Sequence, residues 1–209
     1  MRREEPKRLI WIPIIHTPED LGSLKEPVRR LHVKRTGRAH WQRRQLTIEN
    51  MWTNIEREIE QLDLDYARLR LYQDGLACCG REEEIVRELA GIGSRNHQLL
   101  LKLMARGARI MGTESPELLL EEYELSRHAV LAAGARKAVT PQQQEASERI
   151  LRRRDAYIAE RIAQTLLSGE TGLIFLGLLH SVDEHLPRDI ETTRLDVVLP
   201  AAPGNGRRR

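Results

Sequence analysis

The sequence predicts an α/β fold: a mainly parallel sheet flanked by helices, in a single domain, with its site at the carboxyl ends of the strands. Three observations predict it. Short apolar, β-branched runs alternate with longer stretches of helical spacing, the pattern that builds a parallel sheet with crossover helices. The length, 209 residues, suits one full domain and is short for two. Four of the apolar runs end in a residue fit for chemistry, at the place where parallel sheets bind their ligands.

Taken in order, residues 8–15 (RLIWIPII) read as a buried strand ending at His16, with Pro13 marking an edge position or a bulge. Residues 26–45 are dense in Arg, Lys and His and poor in apolar anchors, which predicts a basic loop or lid. Thr47 is placed to cap a helix through about Leu62, with Ile48, Met51, Trp52, Ile55 and Ile59 on one face. A strand over 68–73 (RLRLYQ) ends at Asp74-Gly75. Helices follow over 82–90 and 96–106, with Ser94 or Asn96 placed to cap the second and Gly107 as its terminator. A strand over 108–112 (ARIMG) leads to Glu114, and Ser115-Pro116 opens a helix to about Arg127. The longest helical pattern runs from Pro141 to about Leu167. Residues 173–179 (LIFLGLL) give the strongest strand signal and end at His180. A last strand is expected over 194–199, before a basic tail, 200–209, expected to be disordered.

Composition narrows the function classes. A 40% hydrophobic and 31% charged chain is globular rather than disordered. The net charge of +3 is the remainder of large opposing totals, so no global field favours nucleic acid. The two cysteines, Cys78 and Cys79, are adjacent; they read as a small buried pair in a reducing compartment, with no CxxC metal site. No signal peptide and no membrane span is read, so a soluble, cytoplasmic protein is expected. The glycine-rich nucleotide loops GxGxxG and GxxxxGK[ST] are missing, as is the GxSxG nucleophile elbow.

If the strands are parallel, His16, Asp74, Glu114 and His180 gather at one edge. Two imidazoles and two carboxylates suit a hard or borderline divalent cation such as Mn, Co, Zn or Fe. The same four groups suit general acid–base work without a metal. Arg154 and Asp155, on the long helix, either cap locally or reach this site. Glu122 can turn inward from its own helix.

The segment RRRDAYIAERIAQTLLSGETGLIFLGLLHSV, in which Arg-Asp opens a helix before a glycine break, a strand and Gly177-Leu178-Leu179-His180, resembles the superfamily of TraB/PrgY-like proteins, Tiki proteases, erythromycin esterases and ChaN haem-binding proteins. The strand ending in His16 and the Gly-Thr-Glu at Glu114 resemble further motifs of that group. The likeness covers about half the chain. It departs from the pattern at Pro13, where the first histidine motif has glycine, and at Asp74, where glutamate is commoner.

The resemblance implies a hydrolase of peptide or ester bonds, with His16 and His180 as metal ligands or base, Glu114 as acid–base group and Arg154 as anion stabiliser. It equally implies a non-catalytic alternative, haem or another ligand held at the two histidines; no CxxCH is present for covalent haem attachment. Expected partners are a small-molecule or peptide substrate and a second copy of the chain as a homodimer, with no membrane. A lesser expectation is nucleic-acid binding through residues 29–44, with Trp41 stacking on a base.

Overall fold

Residues 171–176 are buried in succession, so this segment has no side left for solvent. Such a strand must lie inside a sheet covered on both faces. The structure, a computed structural model, describes residues 5–134 and 140–197. Its elements in chain order are β1 (Lys7–Ile14), α1 (Lys25–Thr36), α2 (Arg38–Glu60), β2 (Leu69–Gln73), α3 (Glu82–Gly91), α4 (Arg95–Ala105), β3 (Arg109–Met111), α5 (Pro116–Gly134), α6 (Pro141–Thr165), β4 (Thr171–Gly177) and β5 (Ile190–Arg194). The five strands form one sheet in the order β3-β2-β4-β1-β5, and every pairing is parallel. The expected α/β fold is the one observed.

Alternation along each strand sorts side chains onto two cores. Ile12, Ile14, Leu71, Leu173 and Phe175 face α2, α3 and α4, packing against Met51, Trp52, Ile55, Val86 and Leu100. Leu9, Tyr72, Ile174 and Leu176 face α6, against Ile158, Ile162 and Leu166. Because β4 lies between β2 and β1, the chain segments leaving these three strands emerge side by side at one edge.

Pro13 is explained by register. Trp11 accepts from Leu195 N–H on the β5 side, and the pairing with β5 ends there. Pro13, two residues on, points its missing N–H to that same side, where no ladder donor is required. It is an edge residue within an interior strand.

Five sequence expectations are corrected. Residues 26–45 are not a loop: they form α1 and the first turns of α2, because Arg, Lys and Leu favour helix even without an apolar stripe. Thr47 is not an N-cap; α2 begins at Arg38, and the Thr47 hydroxyl donates to Arg43 O at 2.8 Å inside the helix. Leu178 and Leu179 leave the strand and sit exposed in a turn. The last strand is Ile190–Arg194, where β-branched residues match β1, rather than the apolar run 194–199, whose final two residues lie outside the described ones, as does the tail. Cys78 is half-buried and Cys79 exposed, so they are not a buried pair. Among the described residues, no helix is long and apolar enough to cross a membrane.

Gly172 sits where the sheet leaves no room for a side chain. A Cβ there would lie 2.8 Å from Leu9 Cδ1 and 3.1 Å from the Tyr72 ring, both fully buried. Gly172→Ala is expected to cost about 1–3 kcal/mol through overpacking, seen as a lower Tm in calorimetry. An unchanged or higher Tm would show that α6 can move away from the sheet freely.

Candidate functional site

Asp74 leaves β2 in a turn that Gly75 permits with φ of 80°. Glu114 leaves β3 beside it: the Thr113 and Glu114 N–H groups both donate to Leu76 O at 3.0 Å, and Cys78 N–H donates to Glu114 O at 2.8 Å. His180 closes a turn after β4, its N–H donating to Gly177 O at 3.2 Å. Arg154 and Asp155 lie on the buried face of α6. As consecutive helix residues they diverge by about 100°, so one reaches the β2–β3 side and the other the β4 turn.

The resulting contacts are dense. Arg154 grips Glu114 with two parallel bonds, Nε to Oε2 and Nη2 to Oε1, each 2.6 Å. Its Nη2 also donates to Asp74 Oδ1 at 2.8 Å, and its Nη1 meets Glu122 Oε2 at 2.7 Å. The outer oxygen of Asp74, Oδ2, faces His16 Nε2 at 3.1 Å and His180 Nε2 at 3.4 Å, and accepts from Gly177 N–H at 2.9 Å. The far nitrogen of His180, Nδ1, lies 2.5 Å from Asp155 Oδ1, while Asp155 Oδ2 accepts from Ser181 N–H at 3.0 Å. Ligand atoms of Asp74, Glu114 and His180 all lie within 4.8 Å of one another, a spacing that could hold a metal ion.

Gly177 has a direct reason to be glycine. A Cβ on it would come within 2.9 Å of Asp74 Oδ2 and close to both imidazoles. Its bare backbone lets the amide reach the carboxylate.

Electrostatics follow from burial and pairing. Burial opposes the charge on Asp74, but hydrogen bonds from His16 and His180 outweigh it and hold the carboxyl well below its usual range. Burial would lower both imidazole pKa values. For His16 the bond and charge of Asp74 prevail and raise it. For His180, Asp155 and then Asp74 push it up to about 9. Glu114 is fully buried and moves upward, burial outweighing the pull of Arg154.

The structure thus brings all of His16, Asp74, Glu114, Arg154, Asp155 and His180 to one edge of the sheet. His16 joins through Asp74, outside the tighter group of three, and its side chain is 35% exposed, the most open of the six. Glu122 does turn inward to Arg154. Sequence reading missed the support behind His16. Asp20 Oδ2 accepts from Thr17 N–H and its hydroxyl at 2.7 and 2.9 Å and lies 3.9 Å from His16 Nδ1. Asp20 Oδ1 accepts from Ser94 Oγ at 2.5 Å, and Ser94 in turn meets His97 Nδ1 at 2.7 Å. Burial works against the Asp20 charge, yet bonds from His97 and Ser94 keep its pKa low. Ser94 was legible as a helix cap; its tie to Asp20, 74 residues away, was not. No family model, curated protein or solved structure matches the chain.

The raised His180 pKa ties stability to pH. A group whose pKa rises on folding stabilises the fold fully below its unfolded value, roughly 6.5 for histidine, and loses that contribution as pH climbs through about 9. His16 acts with the same sign. In chelator, Tm is therefore expected to fall between pH 6.5 and 9, and His180→Gln should flatten the fall. A Tm that stays level or rises in wild type over that window would contradict this electrostatic account.

Proposed function

We propose that the chain is a divalent-cation-dependent hydrolase of peptide or ester bonds, with His16, His180 and Asp74 as cation ligands and Glu114 beside them. The observation that carries this reading is the convergence of both imidazole Nε2 atoms on one Asp74 oxygen, with Asp155 behind His180. A carboxylate on Nδ1 fixes the proton there and leaves the Nε2 lone pair for a metal, the usual support of a ligating histidine.

Charge balance supports the fit. Asp20, Asp74, Glu114, Glu122 and Asp155 set five negative charges against the single positive charge of Arg154, a net of −4. Protons on both histidines bring this to −2, and so does one divalent cation on neutral imidazoles. Cation and protons are thus interchangeable occupants, and binding expels protons.

The cation would polarise the scissile carbonyl and make water a better nucleophile near neutral pH. The protein's own groups do the rest. Arg154 has its Nε, Nη1 and Nη2 on carboxylates, so in this reading it holds Asp74, Glu114 and Glu122 in place rather than meeting a substrate oxyanion. Glu114, fully buried with both oxygens on Arg154, in this reading sets the guanidinium that steadies Asp74. His16, the most open member, faces the side from which substrate enters.

Elemental analysis of protein reloaded with Mn, Co, Zn or Fe is expected to find close to one cation per chain, and none in His16→Ala/His180→Ala. Asp155→Asn should weaken cation affinity about 10–100-fold, and affinity should fall as pH drops. Turnover of p-nitrophenyl esters or fluorogenic peptides should disappear in the double variant while its circular dichroism persists. No cation in the reloaded wild type, or equal cation in both proteins, would overturn the reading.

A further inference from the structure

Charge is distributed very unevenly along this chain. Residues 25–44 hold eight cations against one acid, Glu26, a net of +7 in a chain whose total is +3, so everything else sums to −4. These residues form α1 and the start of α2, two helices joined at Gly37, whose φ of 89° makes the reversal.

The pair stands off the core. α1 has no buried residue, and α2 has none before Ile48. At 1.5 Å per residue, the leading ten residues of α2 extend about 15 Å beyond its packed part. α1 rests on the 3-10 turn after β1 and on α5, and the two helices are pinned to each other by His32 Nε2 against His40 Nδ1 at 3.1 Å. Arg29, Arg30, Lys34, Arg35, Arg38 and Arg43 are exposed. Among the described residues, only Arg29, with Glu26, and Lys25, with Glu19, have a carboxylate within 4.0 Å in this segment. Burial, and then the charges of Arg44, His40 and Arg35, hold His32 below its ordinary pKa, a local sign of the positive field.

We propose that the α1–α2 hairpin docks on the phosphate backbone of duplex nucleic acid. Six of its eight cations are arginines, whose planar fork matches phosphate oxygens in pairs. Arg30 and Lys34 are one turn apart on α1, as neighbouring i,i+4 side chains, and Arg38 follows across the reversal. Two observations favour a duplex over other polyanions. Trp41 is half-buried and packs in a T-shaped contact on His32 with ring centroids 5.2 Å apart, so it does not stand free as a platform for an unpaired base. Along the hairpin, residues 25–47, the one exposed large apolar side chain is Leu46, whereas insertion into a lipid surface takes a whole apolar face. None of the Asp74 cluster takes part, and the inference stands apart from the hydrolase reading.

The test is fluorescence anisotropy of a labelled 20-base-pair DNA duplex with the full-length chain. With roughly four phosphates neutralised, affinity should fall about a hundredfold between 50 and 200 mM salt. Arg30→Glu/Lys34→Glu/Arg38→Glu, at exposed positions that leave the core untouched, should lose at least about tenfold at 50 mM and flatten the salt slope. His180→Ala should bind like wild type. No binding at 50 mM salt, or binding that survives in the triple variant, would overturn the proposal. So would tighter binding to a single strand of the same length, or to phosphatidylserine vesicles, than to the duplex.

Discussion

Asp74 is a charged group, 9% exposed, at the point where the three central strands end, and a buried charge is tolerated only with partners on all sides. Its inner oxygen takes Arg154 from α6, and its outer oxygen takes the Gly177 amide and faces both histidines. These partners come from three separate elements, so meeting the needs of one carboxylate fixes α6, the β4 turn and the end of β1 relative to β2. The same need explains residues that look incidental. Gly177 must lack a side chain to approach, Asp155 must orient His180, and Glu114 holds the guanidinium of Arg154 in a two-bond grip that aims its Nη2 at Asp74.

Against a surface of mixed ion pairs, two places concentrate charge of one sign. Acidic groups crowd the strand ends, where low dielectric strengthens every pairing and moves the imidazoles upward. Basic groups crowd the hairpin, in water, where repulsion between them is screened and costs little. A near-neutral total therefore hides a buried anionic pocket and a cationic arm.

Much of this was legible because it depends on local pattern. The runs at 8–15, 68–73 and 108–112 became β1, β2 and β3, and the helices opened by Ser94 and Pro116 start where their caps require. Legibility failed where neighbours decide. Residues 26–45 lack an apolar stripe, yet form helix because backbone propensity and a partner helix suffice. Leu178 and Leu179 continue an apolar run, but the strand ends at Gly177, where the chain must turn for His180 to reach Asp74. β5 follows its pairing with β1 rather than its own hydrophobicity.

The sequence by itself determined the fold class and which residues would stand at the strand ends, because side-chain alternation and the position after each strand are properties of a few consecutive residues. It also carried the charge of the hairpin, a matter of composition. Only the tertiary structure decided the order β3-β2-β4-β1-β5, and with it that Asp74 would stand between His16 and His180. The task of Arg154 was likewise settled there, as was the support that Asp20 and Ser94 lend to His16. Those outcomes rest on contacts between residues tens of positions apart, and no local pattern carries the free energy that selects among them.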